Sequence, residues 1–161
     1  MGFRDKIISW DQLPQWRAAL RAAGRRLVVT NGCFDILHVG HVTYLEQARQ
    51  LGDALLVGLN SDSSVRQLKG SSRPINCEAD RAAMLAALQC VDAVCIFTER
   101  SAVRFLSVAQ PDIYVKGGDY TPDTLPPEEL KVVREAGAQV VVLPLVPGQS
   151  TSALAQKIAR L

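Results

Sequence analysis

No stretch of this chain approaches the roughly 20 consecutive apolar residues that a membrane-spanning helix needs, although apolar residues make up 48% of its 161 positions. The opening Met1-Gly2-Phe3-Arg4-Asp5-Lys6 lacks the apolar run of a secretory signal. Both absences lead to the expectation of a soluble, cytoplasmic protein. Neither sign of charge dominates: 18 Lys and Arg face 16 Asp and Glu, a net charge of +2. The basic residues are scattered, so the electrostatic footprint of a nucleic-acid binder is missing. The four cysteines, Cys33, Cys77, Cys90 and Cys95, form no C-x-x-C pair and have no histidine in metal-ligand register. Neither a zinc site nor a disulfide is expected, and packing is the expected role of the thiols. There is no internal repeat, low-complexity run or linker, which makes residues 1–161 a single domain of ordinary size.

What is present is a regular alternation. Leu13, Trp16, Leu20 and Ala23 recur at helical spacing over 12–23, ahead of a core expected to run from about 26 to 161. Leu27-Val28-Val29-Thr30 reads as a buried strand that stops at Asn31-Gly32, and Val42, Leu45, Ala48 and Leu51 mark a second helix. Further strands are expected at 54–59, 93–97, 112–116 and 139–143. Further helices are expected at about 78–89, 101–109, 127–136 and from Ser152 onward. Residues 1–11 carry no signal. Short apolar strands alternating with amphipathic helices specify a parallel sheet covered on both faces. Right-handed crossovers make it a Rossmann-like, doubly wound α/β fold. The loop 117–126, with Gly117, Gly118, Pro122 and Pro126, is the segment expected to move.

In open parallel sheets ligands bind beyond the carboxyl ends of the strands. The first such crossing reads Asn31-Gly32-Cys33-Phe34-Asp35-Ile36-Leu37-His38-Val39-Gly40-His41. It matches neither the dinucleotide fingerprint nor the P-loop. It offers instead a glycine turn and two imidazoles nearly one helical turn apart, on one face near a helix N-terminus. Such a terminus already carries unpaired N–H groups and positive potential. Two added imidazole donors suit a polyphosphate whose charge grows as pyrophosphate departs. Gly40 between them would let a phosphate or a neighbouring backbone approach. Lys69 and Arg73 lie on a Gly/Ser loop after the second strand, where an ordinary solvated lysine is the simpler reading. Arg81 beside Asp80 reads most simply as half of a surface salt bridge. Gly148-Gln149-Ser150-Thr151-Ser152 supplies hydroxyls that cap a helix in any protein and could equally cradle phosphates.

Gly32-x-Phe34-Asp35 followed by His38-x-Gly40-His41 resembles the signature of the cytidylyltransferase-like nucleotidyltransferases. Thr30-Asn31-Gly32-Cys33-Phe34-Asp35, Leu68-Lys69-Gly70, Arg73-Pro74, Val115-Lys116-Gly117-Gly118-Asp119-Tyr120 and Ser150-Thr151 extend the resemblance over nearly the whole chain. The branch they resemble is the bacterial D-glycero-β-D-manno-heptose 1-phosphate adenylyltransferases, which are often fused to a sugar kinase. A chain of this length would be a stand-alone version, its kinase supplied separately.

The resemblance implies transfer of AMP from ATP, with Mg²⁺ on the triphosphate, to a sugar 1-phosphate. His38, His41 and Lys69 become the expected catalytic residues, Lys69 contacting either the triphosphate or the sugar phosphate. Asn31, Gly32, Cys33, Phe34, Gly40, Lys116, Gly118, Asp119, Ser150, Thr151 and Ser152 become the expected nucleotide-binding set, in which Asp119 would bond a base, ribose or sugar hydroxyl. Asp35, Arg73 and Arg81 are expected on the acceptor. No metal-ligating side chain is assigned. A homodimer is the default expectation for oligomeric state, with neither nucleic acid nor membrane as partner. The alternatives are a cytidylyltransferase acting on glycerol 3-phosphate or an alditol phosphate, and a non-catalytic nucleotide-sensing module.

Overall fold

The computed structural model describes residues 1–118, 121 and 124–161. In chain order the elements are a 3-10 turn at Phe3–Lys6, β1 (Ile7–Ile8), α1 (Leu13–Ala22), β2 (Leu27–Gly32), α2 (Val39–Arg49), β3 (Ala54–Asn60) and α3 (Asp62–Lys69). There follow α4 (Glu78–Ala87), β4 (Ala93–Phe97), α5 (Val103–Ala109), β5 (Ile113–Gly117), α6 (Pro127–Glu135), β6 (Gln139–Leu143) and α7 (Thr151–Ala159). The strands form one sheet of 6 in the order β1-β4-β3-β2-β5-β6. Every neighbouring pair is parallel.

Period-2 alternation divides the strand residues between two cores. Leu27, Val29, Leu56, Cys95 and Tyr114 face α1, α5 and α6. Val28, Leu55, Val57, Val94 and Val115 face α2 and α4. Gly58 falls on the first face, where a Cβ would stand 2.4 Å from the Phe105 ring. The glycine is what lets that ring lie against the strand.

Two elements go beyond the expected pattern. β1 adds a two-residue edge strand, pairing Ile7 with Val94 and Ile8 with Cys95, so residues 1–11 close one side of the sheet. α3 fills residues for which no element was expected and takes in Lys69, which was expected on the loop that follows. Its sequence is mostly polar, but Ser61 caps it by accepting from Ser64 N at 3.2 Å, and Val65 is fully buried beneath it. Part of the loop expected to move, including Asp119, Tyr120 and Pro122, lies outside the described residues.

The strand order reverses between β2 and β5. From β2 the chain steps outward to β3 and β4, then returns across the sheet to β5 on the other side. β2 pairs with β3 as far as Gly32↔Leu59, whereas its pairing with β5 is Val28↔Ile113 and Val29↔Tyr114. Beyond those residues the two strands splay. That splay opens the crevice which parallel sheets of this kind use for ligands.

Candidate active site

Tyr44, from α2, spans the splay. Its hydroxyl meets Thr30 Oγ1 on β2 and donates to the Val115 carbonyl on β5 at 3.0 Å. Burial pushes its ionisation far up, so it remains a neutral strut. Above it the carboxyl ends of β2 and β5 open into a cavity of about 620 Å³. Two helix N-termini converge there. Thr151, in the first turn of α7, donates to the Ile36 carbonyl ahead of α2 at 3.3 Å, and Ser150 caps α7 by accepting from Ala153 N at 3.0 Å.

Both histidines of the chain stand at the α2 terminus. His38 is the cap residue, in extended conformation, and its Nδ1 accepts from Gly40 N at 3.1 Å. With Nδ1 accepting, a neutral His38 carries its proton on Nε2 and remains a donor. His41 stacks on it, ring centroids 3.8 Å apart and planes 22° from parallel. Phe34, held at φ 45°, packs against the other side of His41 at 5.2 Å. His41 Nδ1 is buried and makes no hydrogen bond of normal geometry, although the Ile36 carbonyl is near enough to favour the protonated ring slightly. Burial, then the neighbouring His38 and Lys69, pull the His41 pKa down to about 4, against that one opposing effect. His38 is lowered too, by burial. Both rings are therefore neutral near pH 7 in the free protein.

Of the residues singled out from sequence, Asn31, Gly32, Cys33, Phe34, His38, Gly40, His41, Lys69, Lys116, Ser150, Thr151 and Ser152 all line this one cavity. Lys69 is the last residue of α3 rather than part of a loop, with Gly70 capping the helix at φ 97°. A cation there also complements the helix dipole. Burial is the larger influence on the Cys33 thiol and raises its pKa, outweighing the nearby Lys69 and Arg81; it packs rather than reacts. Lys116 is lowered by burial, opposed by Glu129. Gly118 is buried and does not line the cavity; its N–H donates to the Leu143 carbonyl at 3.1 Å. Asp119 lies outside the described residues.

Four of the expected site residues have partners within the protein itself. Gly40 provides internal clearance: a Cβ would sit 2.8 Å from His38 Cε1 and 2.9 Å from its Nδ1. Arg81, expected on the acceptor, is 1% exposed. Its guanidinium donates to the carbonyls of Asn76 at 2.9 Å, Cys33 at 2.7 Å and Asn60 at 2.8 Å, and pairs with Asp62 at 2.8 Å. It clamps the ends of β2 and β3 from beneath, with little donor capacity left for a ligand. Asp35 is likewise committed: it accepts from Ile75 N and Asn76 N at 2.9 Å each and from Arg73 at 3.3 Å. Those bonds outweigh its burial and hold its carboxyl below the usual carboxylate range. Arg73 spends one nitrogen on that bond. Asp35 and Arg73 thus pin the loop before α4 to the glycine turn.

Sequence reasoning passed over Arg100, Gln149 and Glu129, which also line the cavity. Glu129 carried a signal, since it falls among Leu130 and Val133 on the buried face of α6. Arg100 and Gln149 sit in turns, where no periodicity marks them.

Fold and site together define a nucleotidyltransferase of Rossmann-like type. The profile of the cytidylyltransferase-like family matches residues 29–155, and the chain belongs to that family. It is 52% identical over 153 residues to the bifunctional protein HldE of Geotalea uraniireducens, covering 95% of this chain and 31% of that protein. The HldE of Campylobacter fetus is 48% identical over 98% of this chain and 32% of its own length. The chain thus spans about a third of these curated relatives. Among solved structures, the lipopolysaccharide core biosynthesis protein of Thermoplasma volcanium is 30% identical, with a TM-score of 0.62 over 76% of this chain and 98% of that one. The pantoate-beta-alanine ligase of Francisella tularensis, 12% identical at a TM-score of 0.56 over 96% of this chain and 78% of that one, shares the fold. No helix among the described residues is long and apolar enough to cross a membrane.

Proposed function

We propose that this chain transfers AMP from ATP to D-glycero-β-D-manno-heptose 1-phosphate, releasing pyrophosphate and forming ADP-heptose for lipopolysaccharide synthesis. The observation that carries the chemistry is the stacked His38–His41 pair between two helix N-termini on one cavity. The identity to HldE proteins carries the choice of substrates. A phosphate oxygen of the acceptor attacks the α-phosphorus of ATP in line, and the bond to the pyrophosphate oxygen breaks. The acceptor phosphate is already anionic at neutral pH, so no general base is required, and catalysis is positioning and charge stabilisation.

In this reading His38, through Nε2–H, and His41 donate to the α- and β-phosphates. Lys69 meets the growing charge from the other wall. The hydroxyls and N–H groups of Ser150, Thr151 and Ser152 cradle the terminal phosphates. Asn31, Gly32, Cys33 and Phe34 shape the floor under the nucleotide, while Lys116, Gly118 and Asp119 hold its nucleoside end. Mg²⁺ enters as part of the substrate MgATP, held mainly by phosphates and water. The protein works in the cytoplasm as a homodimer and uses as its acceptor the product of a heptose kinase. The test is a matrix of ATP and CTP against heptose 1-phosphate and glycerol 3-phosphate, scored by pyrophosphate release. ATP with heptose 1-phosphate is the expected productive pair. Faster turnover of CTP with glycerol 3-phosphate would replace this assignment, and nucleotide binding without turnover of any pair would reduce the protein to a sensor.

A further inference from the structure

Glu129 is a charged residue that nothing in the phosphate chemistry requires. It projects from α6, is 7% exposed, and lies on the cavity wall with Asn31 and Lys116. Among the described residues its Oε1 accepts from Ala102 N at 3.3 Å and its Oε2 from the Tyr114 hydroxyl at 3.2 Å. Both contacts are long. The Tyr114 hydroxyl has its closer contact, 2.7 Å, with Asn31 Oδ1. One phenolic proton cannot fully serve two acceptors. When it lies toward Asn31, Oε2 is left with almost nothing. A carboxylate has about four acceptor sites, and a buried one with sites unfilled is costly unless a donor arrives. Lys116 feels the Glu129 charge but makes no ion pair with it among the described residues; its ammonium lies 5.9 Å from the Tyr114 ring centroid.

On the cavity wall, that spare acceptor capacity is available to a donor on a bound ligand. That donor cannot be a phosphate, which is an acceptor and carries the same sign of charge. We propose that Glu129 is a specificity-determining residue that reads a hydroxyl, or a vicinal pair of hydroxyls, on a sugar bound in this cavity. Tyr114 and the Ala102 N–H orient its carboxylate. The proposal rests on the nucleotidyltransferase reading above, which supplies two sources of the same chemistry: the ribose of the nucleotide and the acceptor sugar.

The test compares wild type with Glu129→Gln, which keeps shape and can still bond Ala102 N but gives up the charge that makes a carboxylate a strong acceptor. KM and kcat are measured for each substrate separately. They are then measured with 2′-deoxy-ATP and 3′-deoxy-ATP in place of ATP, and with deoxy analogues of the acceptor sugar phosphate. The expected result is a loss of about tenfold in kcat/KM for one partner, mostly in KM, that shrinks to about twofold when that partner lacks the hydroxyl being read. Shrinkage with deoxy-ATP assigns the ribose, and shrinkage with a deoxy sugar assigns the acceptor. Tyr114→Phe keeps the carboxylate and should cost less than Glu129→Gln. An equal loss with hydroxylated and deoxy substrates, or no loss, would overturn the proposal and leave Glu129 structural. A loss tracking the 6-amino group instead, seen with inosine triphosphate, would overturn it too. If Glu129→Gln fails to fold by circular dichroism, Glu129→Asp carries the same comparison. Wild-type inactivity on every pair would be a failure of the proposed reaction, a distinct outcome from unchanged selectivity in an active enzyme.

Discussion

Gly40→Ala separates the catalytic and structural uses of the imidazole pair. On helix propensity alone the change stabilises α2 by about 1 kcal/mol. The new Cβ, however, would stand 2.8 Å from His38 Cε1, 2.9 Å from His38 Nδ1 and 3.1 Å from Gln149 Cβ. Contacts of that kind are not tolerated, and the His38 ring is the group free to move. It must swing by about 1 Å and give up its 3.1 Å bond from Gly40 N, a cap contact of about 1 kcal/mol. Gain and loss nearly cancel, so unfolding stability should stay within about 1 kcal/mol of wild type and Tm within about 4 °C. Activity should not follow. A displacement of that size at a transition-state donor costs on the order of a hundredfold in kcat. Pyrophosphate release at saturating substrates, paired with a thermal melt, reads both quantities. A variant that keeps kcat within threefold would show that the His38 position is not critical. A fall of 10 °C in Tm would show that the clash is taken up by the fold instead.

His41→Ala should lower kcat roughly a hundredfold, while His41→Asn, which retains a donor that cannot titrate, should keep measurable activity; equal inactivity of two folded variants would call for proton transfer by the ring or for a charged imidazolium. Lys69→Ala should lower kcat and kcat/KM together with Lys69→Arg only partly restoring them, and unchanged kinetics would return this exposed helix-end lysine to a dipole role. Gly58→Ala drives a Cβ to 2.4 Å from the buried Phe105 ring and should cost about 1–3 kcal/mol of stability by denaturant titration; a cost below about 0.5 kcal/mol would mean that the ring has room to move.

The parallel sheet was legible because strands buried on both faces show as apolar runs, and Leu27-Val28-Val29 or Ala54-Leu55-Leu56-Val57 can hardly be anything else. β1 was not, because two residues carry no periodicity and Ile7 and Ile8 gain meaning only by pairing with Val94 and Cys95. α3 was hidden for a different reason: a polar eight-residue helix is held by its Ser61 cap and by Val65 rather than by an apolar stripe. At the site, the residues that line the cavity follow the glycine turn and the helix starts, both written locally. Arg81 was misjudged because charge was weighed and position was not. It precedes Ala82, Leu85 and Ala86 on one buried helix face, and only an arginine with carbonyls to bond could stay there. Asp35 shows the same limit, since its partners Ile75 and Asn76 are brought to it by a distant loop.

The remaining question is why a site for a polyanion should keep its histidines neutral. Burial, the stacked His38 and Lys69 together depress the His41 pKa to about 4 from an ordinary 6.5. The folded state therefore binds the His41 proton more weakly than the unfolded chain does. The stability so contributed is complete above pH 6.5 and is lost as pH falls toward 4. By pH 5 the loss is roughly 2 kcal/mol at most, at 1.36 kcal/mol per pH unit. His41→Asn should remove this acid sag from a set of denaturation curves. A bound triphosphate reverses the balance, because negative charge beside the ring favours the imidazolium. ATP binding near pH 6 should then draw a proton onto His41, and charge appears in the site only when there is charge to meet. That is the differential interaction catalysis requires: the free enzyme is spared most of the cost of a buried cation, and the interaction grows as pyrophosphate leaves. Calorimetric titration of ATP in buffers of different ionisation enthalpy measures the uptake directly. Uptake in wild type that vanishes in His41→Asn is the expected result. No uptake, or uptake that survives the substitution, would mean that His41 acts as a neutral donor throughout.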